Sequence, residues 1–149
     1  MAFNWINGFN SIVIILLMIP NIHYAKNYQM SNKLTKVPPK WITILEQIGR
    51  YGCMILMVLP IFVWEFRLYY RGTIILYVTY ELCLLLVYYY FWSSYLKQKQ
   101  LKSAITLAII PTLIFLLSGM VFGHTLLIIA ASISGFAHIL ITLNTHLND

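Results

Sequence analysis

Apolar positions in this chain run on for long stretches instead of alternating with polar ones. Five stretches, roughly 3–22, 41–63, 73–95, 103–121 and 125–144, are each about as long as the helix that crosses the hydrocarbon core of a bilayer. Each predicts a membrane-spanning helix, because a helix satisfies every backbone N–H and C=O within its own segment where no water can. The first is the most diluted, since Asn4, Asn7 and Asn10 interrupt its leading half. The last two come from one apolar run too long for a single crossing, and "SGMVFGH" (118–124) supplies glycines for a tight reversal between them. The expectation is an all-α integral membrane protein, a bundle of five transmembrane helices forming a single domain over residues 1–149.

Composition points the same way. Hydrophobic residues make up 60% of the chain and mean hydropathy is +0.78, against ten basic and four acidic side chains in 149 residues. One soluble core of this size does not hide that much apolar surface. No polar stretch is long enough to fold separately, so a catalytic module outside the membrane is not expected. The opening "MAFNWINGFN" has neither a basic leading region nor a small-residue cleavage site, so the first span is expected to be retained. Cys53 and Cys83 both fall in apolar segments, where cysteine acts as a small hydrophobe.

Charge sets the expected orientation. Lys26, Lys33, Lys36 and Lys40 lie between the first two spans, and Lys97, Lys99 and Lys102 between the third and fourth. The alternate loop sets Glu65 against Arg67 and Arg71, and the 122–124 turn has no Lys or Arg. All the lysines therefore share one side, which the positive-inside rule makes cytoplasmic: N-terminus outside, C-terminus inside. Trp5 and Trp64 then fall at outer boundaries and Trp41 and Trp92 at inner ones, where amphipathic rings settle. The net charge of +6 is read as lysine anchoring to headgroups, and no nucleic-acid motif is present. The expected partners are the lipid bilayer and either another membrane protein or a second copy of the chain. Tyr88, Tyr89 and Tyr90, followed by Trp92 and Tyr95, read as an inner aromatic belt and not as a platform for stacking a ligand.

The ionisable residues inside the spans carry the functional signal. A charge at mid-bilayer costs at least about 2.5 kcal/mol, so such residues face the protein interior and find partners. Glu46, Arg50, Cys53 and Met57 form one helical stripe, and the last span brings His138 to the depth of Glu46. The first span delivers Asn21 and Tyr24 to the same inner boundary. Glu81 lies deeper, among Tyr77, Tyr80 and Tyr88, at a depth the long Arg50 side chain is expected to reach. Matching depths in this way gives a candidate ligand-binding cluster of Asn21, Tyr24, Glu46, Arg50, Glu81 and His138.

Glu46 and Arg50 also suit a purely structural role as an i,i+4 ion pair in its favourable direction. Glu81 has no basic residue within a turn on its own helix, so its carboxyl either keeps a proton or holds a ligand. His124 is expected at the opposite face, and His23 and His146 in a loop and the tail. No HExxH, CxxC or other ligand spacing marks a metal, cofactor or catalytic site. Ser118, Ser132 and Ser134 are expected to bond back to their own helices. Ala131 and Gly135 make a small-residue packing face, Gly119 and Gly123 serve the reversal, and Pro111 kinks the fourth span beside the cluster.

At "MIPNIHYAKN" (18–27), "LEQIGRYGCMILMV" (45–58), "AIIPTLIFLLSG" (108–119) and "GFAHILIT" (135–142), the chain resembles a group of small multi-pass membrane proteins of low-GC Gram-positive bacteria to which no function is assigned. That resemblance implies a bacterial plasma membrane and no particular activity. "VPPKW" (37–41) and the five-span size are also similar to the porphyrin-binding tryptophan-rich sensory proteins, but the dense intramembrane tryptophans of that family are missing and its ligand sites do not carry over. The expected function is non-enzymatic: binding of a small amphiphilic molecule or peptide in a cytoplasm-facing polar pocket, as a transport accessory or self-protection protein. The alternatives are a small intramembrane lipid-modifying enzyme acting through Glu81 or His138, and a structural subunit of a membrane complex.

Overall fold

The structure is a computed structural model that describes residues 5–27, 39–63 and 70–146. Lys33, Lys36, Trp64, Glu65 and Arg67, which enter the orientation argument, lie outside the described residues. Five helices follow one another: α1 (Trp5–Asn27), α2 (Lys40–Val58), α3 (Arg71–Gln98), α4 (Leu101–Phe122) and α5 (Thr125–His146). By length and composition α1, α3, α4 and α5 are able to cross a membrane, whereas α2 falls short. Lys40, Glu46, Gln47 and Arg50 within its 19 residues are the cause.

Proline explains two departures from the expected boundaries. The second helix stops at Val58 and does not run on to 63, because Leu59 precedes Pro60 and takes the extended backbone that position favours (φ −104°, ψ 126°). The first helix instead continues through Pro20. Pro20 has no N–H for the Leu16 carbonyl, and the Tyr89 hydroxyl of α3 donates to that carbonyl at 2.7 Å. His23 and His146, expected in a loop and the tail, belong to the last turns of α1 and α5.

The helices form a closed ring in the order α1, α2, α5, α4, α3, with α5 packed closely on both α2 and α4. Absent side chains set that closeness. A Cβ on Gly49 of α2 would stand 2.5 Å from the Ser134 Cβ, and one on Gly135 would stand 2.3 Å from the Thr112 Cγ2 of α4. The reversal between α4 and α5 uses Gly123 at φ 64°, with His124 N–H donating to the Gly119 carbonyl at 2.8 Å and Gly123 N–H to Met120 at 3.3 Å. This is the paired hydrogen-bond closure of a helix C-terminus by a left-handed residue. Val13, Met57, Leu85, Ile114, Leu127 and Ala131, drawn from all five helices, meet in the core.

Candidate functional site

Polar side chains inside the ring fall into two layers. The first lies where the start of α1 meets the end of α2. A helix leaves its last carbonyls without backbone donors, and here Leu59 N–H serves the Ile55 carbonyl at 2.8 Å while Pro60, next in the chain, has no N–H to offer. Asn10 Nδ2 donates to the Met57 carbonyl at 2.8 Å, and Asn7 Nδ2 donates to the Val58 carbonyl. The Tyr77 hydroxyl of α3 donates to Asn10 Oδ1 at 2.9 Å and lies 3.0 Å from Ser118 Oγ of α4. Ser118 is in turn 3.1 Å from Glu81 Oε1.

Glu81 therefore belongs to this layer and not to the cluster expected around Arg50. It is fully buried, and its Oε2 has no hydrogen-bond partner among the described residues. The reason is axial distance: Glu81 is seven residues before Tyr88, about 10 Å along the helix, and Tyr88 is the α3 residue at the level of Arg50. Tyr80, expected beside Glu81, faces outward.

The second layer gathers the other five expected residues. Glu46 is buried and pairs with Arg50 one turn along α2. His138 Nδ1 of α5 lies 3.1 Å from Glu46 Oε1 and 3.2 Å from Arg50 Nη2. A bare Nδ1 accepts from the guanidinium, whereas an Nδ1 carrying hydrogen donates to the carboxylate. Asn21 Nδ2 of α1 donates both to its own Leu17 carbonyl and to the Tyr88 hydroxyl, each at 2.8 Å.

A cavity of about 440 Å³ begins at Arg50, His138, Asn21 and Tyr88 and extends past Tyr24, Trp92 and Tyr95 to Thr145. A narrow recess of about 50 Å³ continues inward to Glu46, Pro111, Thr112 and Ser134. The mouth lies at the bundle end formed by the C-termini of α1, α3 and α5 and the N-terminus of α4, the same end that carries Lys26, Lys97, Lys99 and Lys102. Pro111 thus borders the recess, where it offers no N–H to the Leu107 carbonyl.

The aromatic run of α3 divides in a way its composition conceals. Tyr88 and Trp92 turn inward to line the cavity with Tyr24, whose ring centroid is 5.4 Å from that of Trp92. Tyr89 and Tyr90 face outward. This corrects the reading of the whole run, Trp92 included, as an interfacial belt. The capping role of Asn7 and Asn10 also went unread. Its signal was present as two amides three residues apart on one helix, answering a helix cut short by proline. Ser132 and Ser134 bond back to Ile128 and Ala131, while Ser118 adds links to α3 beyond its bond to Ile114. Among the described residues no three His, Cys, Asp or Glu side chains converge as a metal site. Comparison with protein families, curated proteins and solved structures finds no match to this chain.

Proposed function

We propose that this protein is a five-span plasma-membrane protein, N-terminus outside, that binds a small amphiphilic molecule or peptide without transforming it. The observation carrying the reading is the cavity, which joins a polar triad of Glu46, Arg50 and His138 to an aromatic vestibule at the lysine-bearing end of the bundle. Its size falls within the range of small-molecule sites, and apolar walls with a few convergent polar groups are what such sites share.

The second helix counts as a span in this reading despite its charges. Glu46 is buried and Arg50 faces the cavity, while Ile44, Ile48 and Ile55 form the outer face. Its 19 residues extend about 28 Å, close to the thickness of a hydrocarbon core. The bacterial setting rests on the resemblance noted from the sequence. Within this reading the protein serves as a transport accessory or self-protection protein.

Occupancy is tested by narrowing the vestibule. Protein extracted from its native membrane is expected to retain a small molecule detectable by native mass spectrometry, and a Thr142→Trp variant of unchanged melting temperature is expected to lose it. Identical retained species in both proteins would exclude the cavity as the binding site.

A further inference from the structure

The hydrogen-bond inventory of the cavity is lopsided. A guanidinium offers five N–H donors in a planar fork, yet Arg50 makes both of its contacts, to Glu46 and His138, through Nη2. Its Nε and Nη1 donors have no protein acceptor among the described residues, and the side chain is 38% exposed toward the cavity that it lines. The Tyr88 hydroxyl receives a hydrogen bond from Asn21 and gives its own hydrogen to no described acceptor. Trp92 Nε1 is buried on the same wall and is directed at the Tyr88 hydroxyl, so it adds no donor to the open space. Donors from Arg50 of α2 and Tyr88 of α3 thus border one space.

The electrostatic setting has the same sign. Glu46 is matched by Arg50, and Glu81 is in the other polar layer, so no described carboxylate stands unpaired at this end of the bundle. Lys26, Lys97, Lys99 and Lys102 lie at the helix ends around the mouth. Converging lysines raise the local concentration of anions, and the open Nη1–H and Nε–H donors of a guanidinium give charge-assisted hydrogen bonds to a carboxylate or phosphate.

We propose that the cavity selects anionic ligands: a carboxylate or phosphate group docks on the open donors of Arg50, and a flat apolar body lies against the wall formed by Tyr24, Trp92 and Tyr95. This rests on the cavity being a binding site and adds the charge, the orientation and the class of molecule. A positively charged amphiphile would meet the guanidinium and the lysines at the mouth and would bind poorly.

Calorimetric titration of the protein in phosphatidylcholine nanodiscs with 2-naphthoate, 2-naphthyl phosphate, 2-naphthylmethylammonium and 2-naphthylmethanol tests it. The two anions are expected to bind at least about tenfold more tightly than the ammonium and the alcohol, and Arg50→Gln to remove that preference. Should Arg50→Gln fail to fold, the charge series on the unaltered protein decides alone. Including phosphatidate in the nanodiscs separates sources: if it displaces naphthoate the natural anion is a lipid headgroup, and if it does not the anion is soluble, the anionic preference standing in both cases. Equal or tighter binding of the ammonium or alcohol would overturn the inference while leaving the cavity a binding site. No binding of any of the four would overturn both.

Discussion

Asn10 of α1 holds the Met57 carbonyl of α2 at 2.8 Å, so the C-terminus of one helix is capped by the side chain of another. Both groups are fully buried, and Tyr77 completes the arrangement by donating to the amide oxygen. Asn10→Leu would strip the carbonyl of its donor and leave the Tyr77 hydroxyl with Ser118 Oγ alone. The expected cost is about 1–3 kcal/mol for each group left unsatisfied. Unfolding by dodecyl sulfate in mixed micelles measures it, and a variant as stable as the parent would show that the cap contributes nothing.

Glu46 and Arg50 have a different signature. Removing Arg50 leaves the buried Glu46 carboxylate without its cation and is expected to destabilise by about 3–5 kcal/mol, whereas Glu46→Leu together with Arg50→Met should be close to neutral. The double variant is nevertheless expected to lose ligand retention, because its cavity no longer presents the guanidinium. A stable double variant that still retains the ligand would reduce the pair to architecture.

The close approach of α4 and α5 predicts an asymmetry between two glycines. Gly135→Ala drives a methyl group into the Thr112 side chain and should cost about 1–3 kcal/mol, with part of the loss recovered by Thr112→Ala. Gly49→Ala meets Ser134 backbone at 3.2 Å as well as its Cβ, so trimming Ser134 to glycine should recover less. Equal recovery at the two sites would show that the backbones, and not the side chains, yield.

Orientation is testable by labelling. In a background lacking Cys53 and Cys83, a cysteine at Thr125 should react with an impermeant maleimide on intact cells. Cysteines at Ser31 and Gln100 should react only after permeabilisation. Labelling of Ser31→Cys from outside would invert the topology.

His124 sits in the α4–α5 reversal, where burial lowers its pKa from the ordinary 6.5. The unfolded chain then binds the proton more readily than the folded one, so this residue makes stability fall as pH drops below about 6.5. Above that value its contribution is level. Melting curves from pH 8 to pH 5 should show a shallower acidic decline in His124→Gln than in the parent, and parallel curves would remove His124 as the cause.

Some of this architecture was legible along the chain because one-dimensional patterns cause it. Helices follow the length of the apolar runs, and five helices appear where five runs do, four of them long and apolar enough to cross a membrane while the second falls short. The reversal at Gly123 follows from a conformation that glycine adopts without penalty. Depth along a helix is likewise a count of residues at a fixed rise, which is why Asn21, Tyr24, Glu46, Arg50 and His138 could be matched and why they surround one cavity.

What depth cannot supply is the angle at which each helix faces its neighbours. Glu81 had ambiguous company until α4 was placed against α3, with Ser118 and not Arg50 as its partner. Tyr88 and Trp92 turn inward while Tyr89 and Tyr90 do not, because helix rotation is set by packing across the ring, and a run of aromatics has no polar face to reveal it. The asparagines of α1 read as dilution for the same reason: an amide is a defect in an apolar segment until a distant carbonyl, orphaned at Pro60, needs its hydrogen. Runs, breaks and depths were thus settled by the order of residues, while every partnership between helices waited on the tertiary structure, because hydrogen bonds and ring contacts act over a few ångströms that only packing brings together.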